Sequence, residues 1–180
     1  MKRRTLLTAA LGCCAMPRWA AANPAGGRVV IVGGGWGGLS AAHHVRRLAP
    51  QLEVTLVERQ PEFWSQPLSN RWLVGLARGE WLRHDYRRAA QHFGYRFVHG
   101  EVTAIDRPAR QIVTSAGSFA YDWAVLAPGI REDFSAWYGL DREAAAHTRK
   151  HFQSAFTAGR EHLALKARLE AFPGGDLVMT

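Results

Sequence analysis

Two features of this chain have the residue types and spacing to do chemistry: the run Gly33-Gly34-Gly35-Trp36-Gly37-Gly38 and the carboxylate of Glu58. The run contains a G-x-G-x-x-G pattern, in which each glycine has its own task. Gly33 permits a tight turn out of a preceding strand. Gly35 lets the backbone approach a pyrophosphate, and Gly38 lets a following helix pack against that strand. Glu58 stands 20 residues beyond Gly38, where an acidic side chain accepts hydrogen bonds from a ribose. Its negative charge disfavours a 2′-phosphate, so NADP is the least suitable dinucleotide. The chemistry written here is that of holding a dinucleotide.

The elements needed to position these residues are legible around them. Val29 to Val32 is a continuous apolar run, as expected of a parallel strand covered on both faces. Leu39, Ala42, Val45 and Leu48 recur at threefold spacing and predict a helix with a buried stripe, ended at Pro50. That helix would present free N–H groups and a positive dipole end to the phosphates. His43, His44, Arg46 and Arg47 fall off the stripe and read as solvated. Adjacent helical histidines do not face one another, which argues against a metal site. Glu53 to Val57 is the second strand, ending on Glu58. The stretch from Arg28 to Glu58 therefore reads as a βαβ unit of a Rossmann-like α/β fold.

Farther along, Pro61 to Asn70 is irregular and aromatic, either a surface loop or a segment that passes close to the ligand. A helix is expected from about His84 to Phe93, with Ala89, Ala90 and Phe93 inward. Strands follow at Tyr95 to His99 and at Glu101 to Ile105, where Val102 and Ala104 are expected to point inward. Gln111 to Thr114 and Phe119 to Tyr121 read as a hairpin joined through Ala116-Gly117. Trp123 to Leu126 is expected to be a second buried strand. It ends in Ala127-Pro128-Gly129, at the carboxyl edge where open α/β sheets bind ligands. From about Glu143 to Phe172 the chain reads as helical. Phe152, Phe156 and Leu163 are placed on one face, and Leu165, Leu169 and Phe172 on another. Pro173-Gly174-Gly175 stops the helix, and Asp176 to Met179 begins a new apolar strand.

The N-terminus adds an address. Lys2-Arg3-Arg4-Thr5-Leu6-Leu7 is a twin-arginine start, the run from Leu6 to Met16 is modestly apolar, and Ala20-Ala21-Ala22 offers small residues for cleavage. The run is too short to span a bilayer, which takes about 20 residues. Residues 1–22 therefore read as a twin-arginine (Tat) export signal, with an ordinary Sec signal as the alternative, followed by a linker at 23–27; either route gives the periplasm as the expected location. Both cysteines, Cys13 and Cys14, fall within the signal, so the mature segment has no thiol for a disulfide, metal site or redox pair. Loss of Lys2, Arg3, Arg4 and Arg18 also halves the formal net charge of +8. The remaining basic residues are scattered and not interleaved with aromatics, which argues against nucleic acid as a partner. No stable membrane insertion is expected after cleavage.

From Arg28 to Thr180 the sequence resembles the flavoprotein chain of flavocytochrome c sulfide dehydrogenase, a relative of the sulfide:quinone oxidoreductases. The resemblance is carried by the glycine turn, by Leu68-Ser69-Asn70, and by Tyr121-Asp122 leading into Ala127-Pro128-Gly129-Ile130. It implies FAD as the cofactor, held by Gly33, Gly34, Gly35, Trp36, Gly37 and Gly38 together with Glu58 and its neighbour Arg59. It also implies contacts from Ser69 and Asn70, from Val102 near the adenine, and from Ala127, Pro128 and Gly129 beside the phosphates. A c-type cytochrome subunit and a small sulfur substrate are the implied partners. The implied domains are an FAD-binding domain over 28–172, a parallel sheet with an inserted β-hairpin, and the start of a second dinucleotide-like domain at 173–180.

Two departures limit the expectation. The family attaches its flavin through a cysteine two residues before the Leu-Ser-Asn triplet, where this chain has Gln66. An amide cannot form a thioether, so FAD is expected to be non-covalent. The family's redox-active cysteines also have no counterpart here, so the chain alone is not expected to oxidise sulfide and no catalytic residue is assigned. The competing expectations are a generic FAD/NAD(P)-dependent reductase resembling NADH dehydrogenases, and a truncated FAD-binding fragment without activity. Export argues against the first, because the periplasm maintains no nicotinamide pool.

Overall fold

The computed structural model describes residues 26–130, 132–154 and 159–176. The signal segment, Phe156 and the apolar run at 177–180 lie outside the described residues. The chain enters through β1 (Arg28–Val32), α1 (Trp36–Leu48) and β2 (Glu53–Glu58). Next come β3 (Glu62–Trp64), a short 3-10 turn (Gln66–Leu68), α2 (Ser69–Leu73), a second 3-10 turn (Gly79–Trp81) and β4 (Arg83–Asp85). Then follow α3 (Tyr86–Phe93), β5 (Arg96–His99), β6 (Val102–Asp106), β7 (Gln111–Thr114), β8 (Gly117–Ala120) and β9 (Trp123–Leu126). Three helices finish the described chain: α4 (Ser135–Tyr138), α5 (Arg142–His151) and α6 (Arg160–Glu170).

The central sheet has four strands in the order β5-β2-β1-β9, and every pairing in it is parallel. On one face, Val29, Ile31, Val54 and Leu56 pack against Ala42 of α1 and Tyr86 and Ala90 of α3. On the other, Val30, Val57 and Val98 meet Ile112, with Val102, Phe119 and Tyr121 around them. β1 and β2 are therefore covered on both sides, as the apolar run of β1 requires. Burying each such aliphatic side chain stabilises the fold by about 1.5–3 kcal/mol. The second cover is the expected hairpin enlarged to a three-stranded antiparallel sheet, β6-β7-β8. Thr114 and Gly117 close its turn, the Thr114 hydroxyl donating to the Gly117 carbonyl at 2.8 Å.

Several expectations shift. Val102 packs inward but Ala104 is exposed, because the β6–β7 register slips between them and turns the rest of the strand outward. Leu48 is 75 % exposed, so the apolar stripe of α1 stops at Val45. Arg46 is half-buried: its guanidinium donates to the carbonyls of Pro50 (2.8 Å) and Leu52 (2.6 Å), beyond the last turn of the helix. The third helix starts at Tyr86, because Asp85 caps it by accepting from the Arg87 N–H at 2.7 Å. Gly94, with φ of 74°, then ends it in the left-handed region. Phe93 lies at the rim against His43 rather than in the core.

β9 is not a buried strand. Among the described residues it pairs only with β1, and Trp123 and Leu126 are more than half exposed. The long C-terminal helix is two helices, since Phe152 turns into extended backbone after α5. Phe152, Leu163 and Phe172 are exposed, whereas Leu165 and Leu169 of α6 pack on Trp72, Leu73 and Leu82.

The entry of β9 is clipped to the entry of β1. Asp122 accepts from the Arg28 N–H at 2.7 Å and from its guanidinium at 3.1 Å and 3.3 Å, while the Asp122 N–H donates to the Arg28 carbonyl. Side-chain and backbone hydrogen bonds from Arg28 hold the Asp122 carboxyl below its ordinary range, and the Arg28 guanidinium is shifted up. A lowered folded pKa contributes stability that is present above the unfolded value of about 3.9 and lost as pH falls through the folded value. Asp122→Asn is therefore expected to lower the melting temperature at neutral pH, with the gap to the parent closing in acid. A gap that stayed constant from neutral pH into acid would contradict this assignment.

Candidate functional site

The site forms where β1 ends. The Gly33 N–H donates to the Val57 carbonyl at 2.8 Å, and the Ala127 N–H donates to the Val32 carbonyl at 2.8 Å. The carboxyl ends of β2, β1 and β9 are thus fastened together. Chain order reverses here, with β2 on one side of β1 and β9 on the other, which makes a crevice at the switch point. Gly33 has φ of 98°, and a Cβ there would overlap the Ala127 carbonyl oxygen and come within 3.2 Å of the Pro128 Cα. A Cβ on Gly38 would overlap the Gly33 carbonyl oxygen, so helix and strand meet through that glycine.

Gly35 differs. A Cβ there would meet nothing within 4 Å, so its outward face is open. Gly35 is the N-cap of α1, and the N–H groups of the first helical turn have no acceptor within the helix. Room and unpaired donors coincide, which fits a pyrophosphate.

Glu58 meets this turn directly. One carboxylate oxygen accepts from the Gly34 N–H at 2.7 Å and the other from the Gln60 N–H at 2.7 Å. Each oxygen keeps a lone pair for a ribose hydroxyl. The Arg59 guanidinium is 3.9 Å from Glu101, and the Arg59 carbonyl accepts from His99 Nε2 at 3.0 Å.

A cleft of about 640 Å³ opens beside Gly35, lined by Gly35, Trp36, Phe63, Gln66, Ser69 and Asn70 among others. Pro61 to Asn70 is therefore the segment that passes by the cleft. Ser69 is buried and Asn70 exposed, its amide oxygen accepting from the Arg71 N–H at 2.8 Å. α6 braces α2 from behind, with Lys166 Nζ donating to the Trp72 carbonyl at 3.2 Å and its charge 5.5 Å from the indole centre. The structure thus brings Gly33 to Gly38 together with Glu58, Ala127 and Pro128, and sets Ser69 and Asn70 in the lining of the cleft that Gly35 and Trp36 also line. Gly129 is exposed with φ of 79°, and Val102 packs on the side of the sheet away from α1.

Tyr86 is the site residue that sequence reasoning missed. Its hydroxyl donates to the Gly34 carbonyl at 2.9 Å, and a Cβ on Gly34 would come within 2.7 Å of its ring. The ring stacks on Phe97 with centroids 4.8 Å apart. Burial, with the Glu58 charge adding to it, pushes the phenol well above its ordinary range, so it stays a donor. Tyr86 stands three and four residues before Ala89 and Ala90, so helical spacing did carry a signal for it.

A family-wide sequence profile described as pyridine nucleotide-disulphide oxidoreductase matches residues 27–165. The chain belongs to that family. Within it, the chain is similar to the sulfide-quinone reductase of Aquifex aeolicus, 28 % identical over 124 residues, which is 68 % of this chain and 29 % of that protein. It is 54 % identical over 43 residues to the sulfide dehydrogenase [flavocytochrome c] flavoprotein chain of Chlorobaculum thiosulfatiphilum, covering 24 % of this chain and 90 % of that sequence. The crystal structure of the sulfide:quinone oxidoreductase from Aquifex aeolicus superposes with a TM-score of 0.68 and 25 % identity, over 80 % of this chain and 32 % of that one. The chain thus spans under a third of the sulfide-quinone reductase it matches, and its Rossmann-like fold is that of the family.

The geometry at Gly35 separates binding from folding. Gly35→Ala is expected to cost about 1 kcal/mol of stability or less, as a change of helix N-cap does. The methyl group would occupy the open face, and FAD affinity is expected to fall about tenfold or more. Thermal melts and equilibrium dialysis check both; unchanged FAD binding would remove Gly35 from the site.

Proposed function

We propose that residues 28–172 are the FAD-binding domain of a flavin-dependent oxidoreductase that takes electrons from sulfide and passes them to a c-type cytochrome. The observation that carries the FAD assignment is the Glu58 carboxylate fixed 2.7 Å from the Gly34 N–H beside the open face of Gly35. One carboxylate and one phosphate cradle on the same turn suit the adenosine diphosphate half of the cofactor. Bound there, FAD supplies a two-electron acceptor. The protein's part is to hold the ribose at Glu58, to give the pyrophosphate the first turn of α1, and to keep the turn rigid through Tyr86.

Sulfide as electron donor is supported by the likeness to a sulfide-quinone reductase and to a flavocytochrome c flavoprotein chain. The cytochrome partner is supported by the second of these, and export by the twin-arginine start. No helix among the described residues is long and apolar enough to cross a membrane. Residues 23–180 hold no cysteine, so the group that accepts sulfur comes from outside this segment. In this reading residues 1–22 are the export signal and 173–180 open a second domain of a longer protein. Gln66 makes the FAD non-covalent.

The full-length protein loaded with FAD tests this. Under anaerobic conditions sulfide is expected to bleach the visible flavin absorbance, and a c-type cytochrome to restore it, while NADH does neither. Acid precipitation is expected to leave the flavin in solution. Bleaching by NADH without sulfide would favour a nicotinamide-dependent reductase, and flavin held in the precipitate would rule out non-covalent binding.

A further inference from the structure

α5 carries a pair of side chains that nothing in the flavin site uses. His147 and His151 stand four residues apart, so successive turns of one helix bring them onto the same face. The adjacent histidines His43 and His44 lack that spacing. The imidazoles of His147 and His151 lie with ring centroids 4.3 Å apart and their planes 32° to one another. His147 is exposed and His151 half-buried, so solvent reaches the pair. Thr148, between them in sequence, is buried and anchors the helix, its hydroxyl donating to the Tyr138 hydroxyl at 2.8 Å. None of the residues lining the cleft comes from α5, so whatever this pair does is independent of the flavin reading.

Distance decides what such a pair can hold. A first-row metal ion binds an imidazole nitrogen at about 2.0–2.1 Å, which puts each ring centroid about 3.2 Å from the metal. Two nitrogens in cis positions at about 90° then set the centroids about 4.5 Å apart, whereas a tetrahedral angle sets them about 5.2 Å apart. The observed 4.3 Å matches the cis arrangement. We propose that His147 and His151 chelate a divalent transition cation of tetragonal or octahedral preference, Ni(II) or Cu(II), ahead of tetrahedral Zn(II). No group of three or more His, Cys, Asp or Glu placed to share a metal occurs among the described residues, so water completes the coordination. The pair lies in the last two turns of α5, where carbonyls without a helical partner favour a cation. The basic residues nearby are turned to other work. Arg149 reaches Glu161 at 3.5 Å, Arg168 donates to the His151 carbonyl, and Lys150, next to His151 in sequence, points off the shared face. A metal held there ties the last two turns of α5 together just before Phe152 leaves the helix.

The test is calorimetric titration of the untagged full-length protein, freed of metal by a chelator, with Ni²⁺ alone. His147→Gln, His151→Gln and a His92→Gln control are titrated beside it. The parent is expected to bind Ni²⁺ at a site that each of the first two substitutions weakens about tenfold or more, because one donor is left where two acted together. His92→Gln is expected to bind as the parent does, and Zn²⁺ to bind the parent more weakly than Ni²⁺. Saturating Ni²⁺ is expected to raise the melting temperature of the parent by more than that of His147→Gln or His151→Gln. His147 is exposed, so His147→Gln is expected to melt as the parent does without metal. Ni²⁺ binding and melting that were indifferent to both His147 and His151, or equally sensitive to His92, would overturn the site. A preference for Zn²⁺ would overturn the cis geometry.

Discussion

The carboxylate of Glu58 hydrogen-bonded to the backbone of Gly34 is the contact on which the rest of the site depends. It works only if the ends of β1 and β2 lie side by side, which the Gly33 to Val57 hydrogen bond secures. It also requires a turn too tight for any Cβ at Gly33 or Gly38, so that β1, α1 and the Ala127 carbonyl close on one another. An anion accepting a backbone N–H forms a strong hydrogen bond, and this one is oriented a second time by Gln60. Tyr86 fixes the next peptide group of the same turn through the Gly34 carbonyl. The sheet, α1 and α3 therefore converge on one residue.

Much of this was legible in the sequence because it is local. The apolar run before Gly33, the glycine spacing and Glu58 define strand, turn, helix and acid within a short stretch, and the structure forms them there. Tyr86 was harder to see. Helical spacing puts it on the inner face of α3, but its partner is Gly34, 52 residues away, which that spacing does not name. Trp123 and Leu126 are exposed where a buried strand is expected, for a related reason. An apolar strand reads alike whether it lies inside a sheet or at its edge, and only pairing order decides. The bulge that turns Ala104 outward is likewise a property of two strands together. The break between α5 and α6 follows from Phe152 adopting extended backbone, which a helical composition does not forbid.

The two flanks of the glycine turn differ in chemistry. One presents a fixed carboxylate, and the other an aromatic wall with a few amides and a hydroxyl. α6 packs on α2, and β9 is held to β1 at both ends, by the Arg28–Asp122 clip at its entry and by the Ala127 N–H on the Val32 carbonyl at its exit.

The most direct test of this account is a titration of the protein and of Glu58→Ala with FAD and with FMN, which lacks the adenosine. The parent is expected to prefer FAD, and the substitution to weaken FAD about tenfold or more, toward the affinity for FMN, while leaving FMN itself unchanged. A Glu58→Ala protein that still folds and binds FAD as tightly as the parent would contradict the account at its centre.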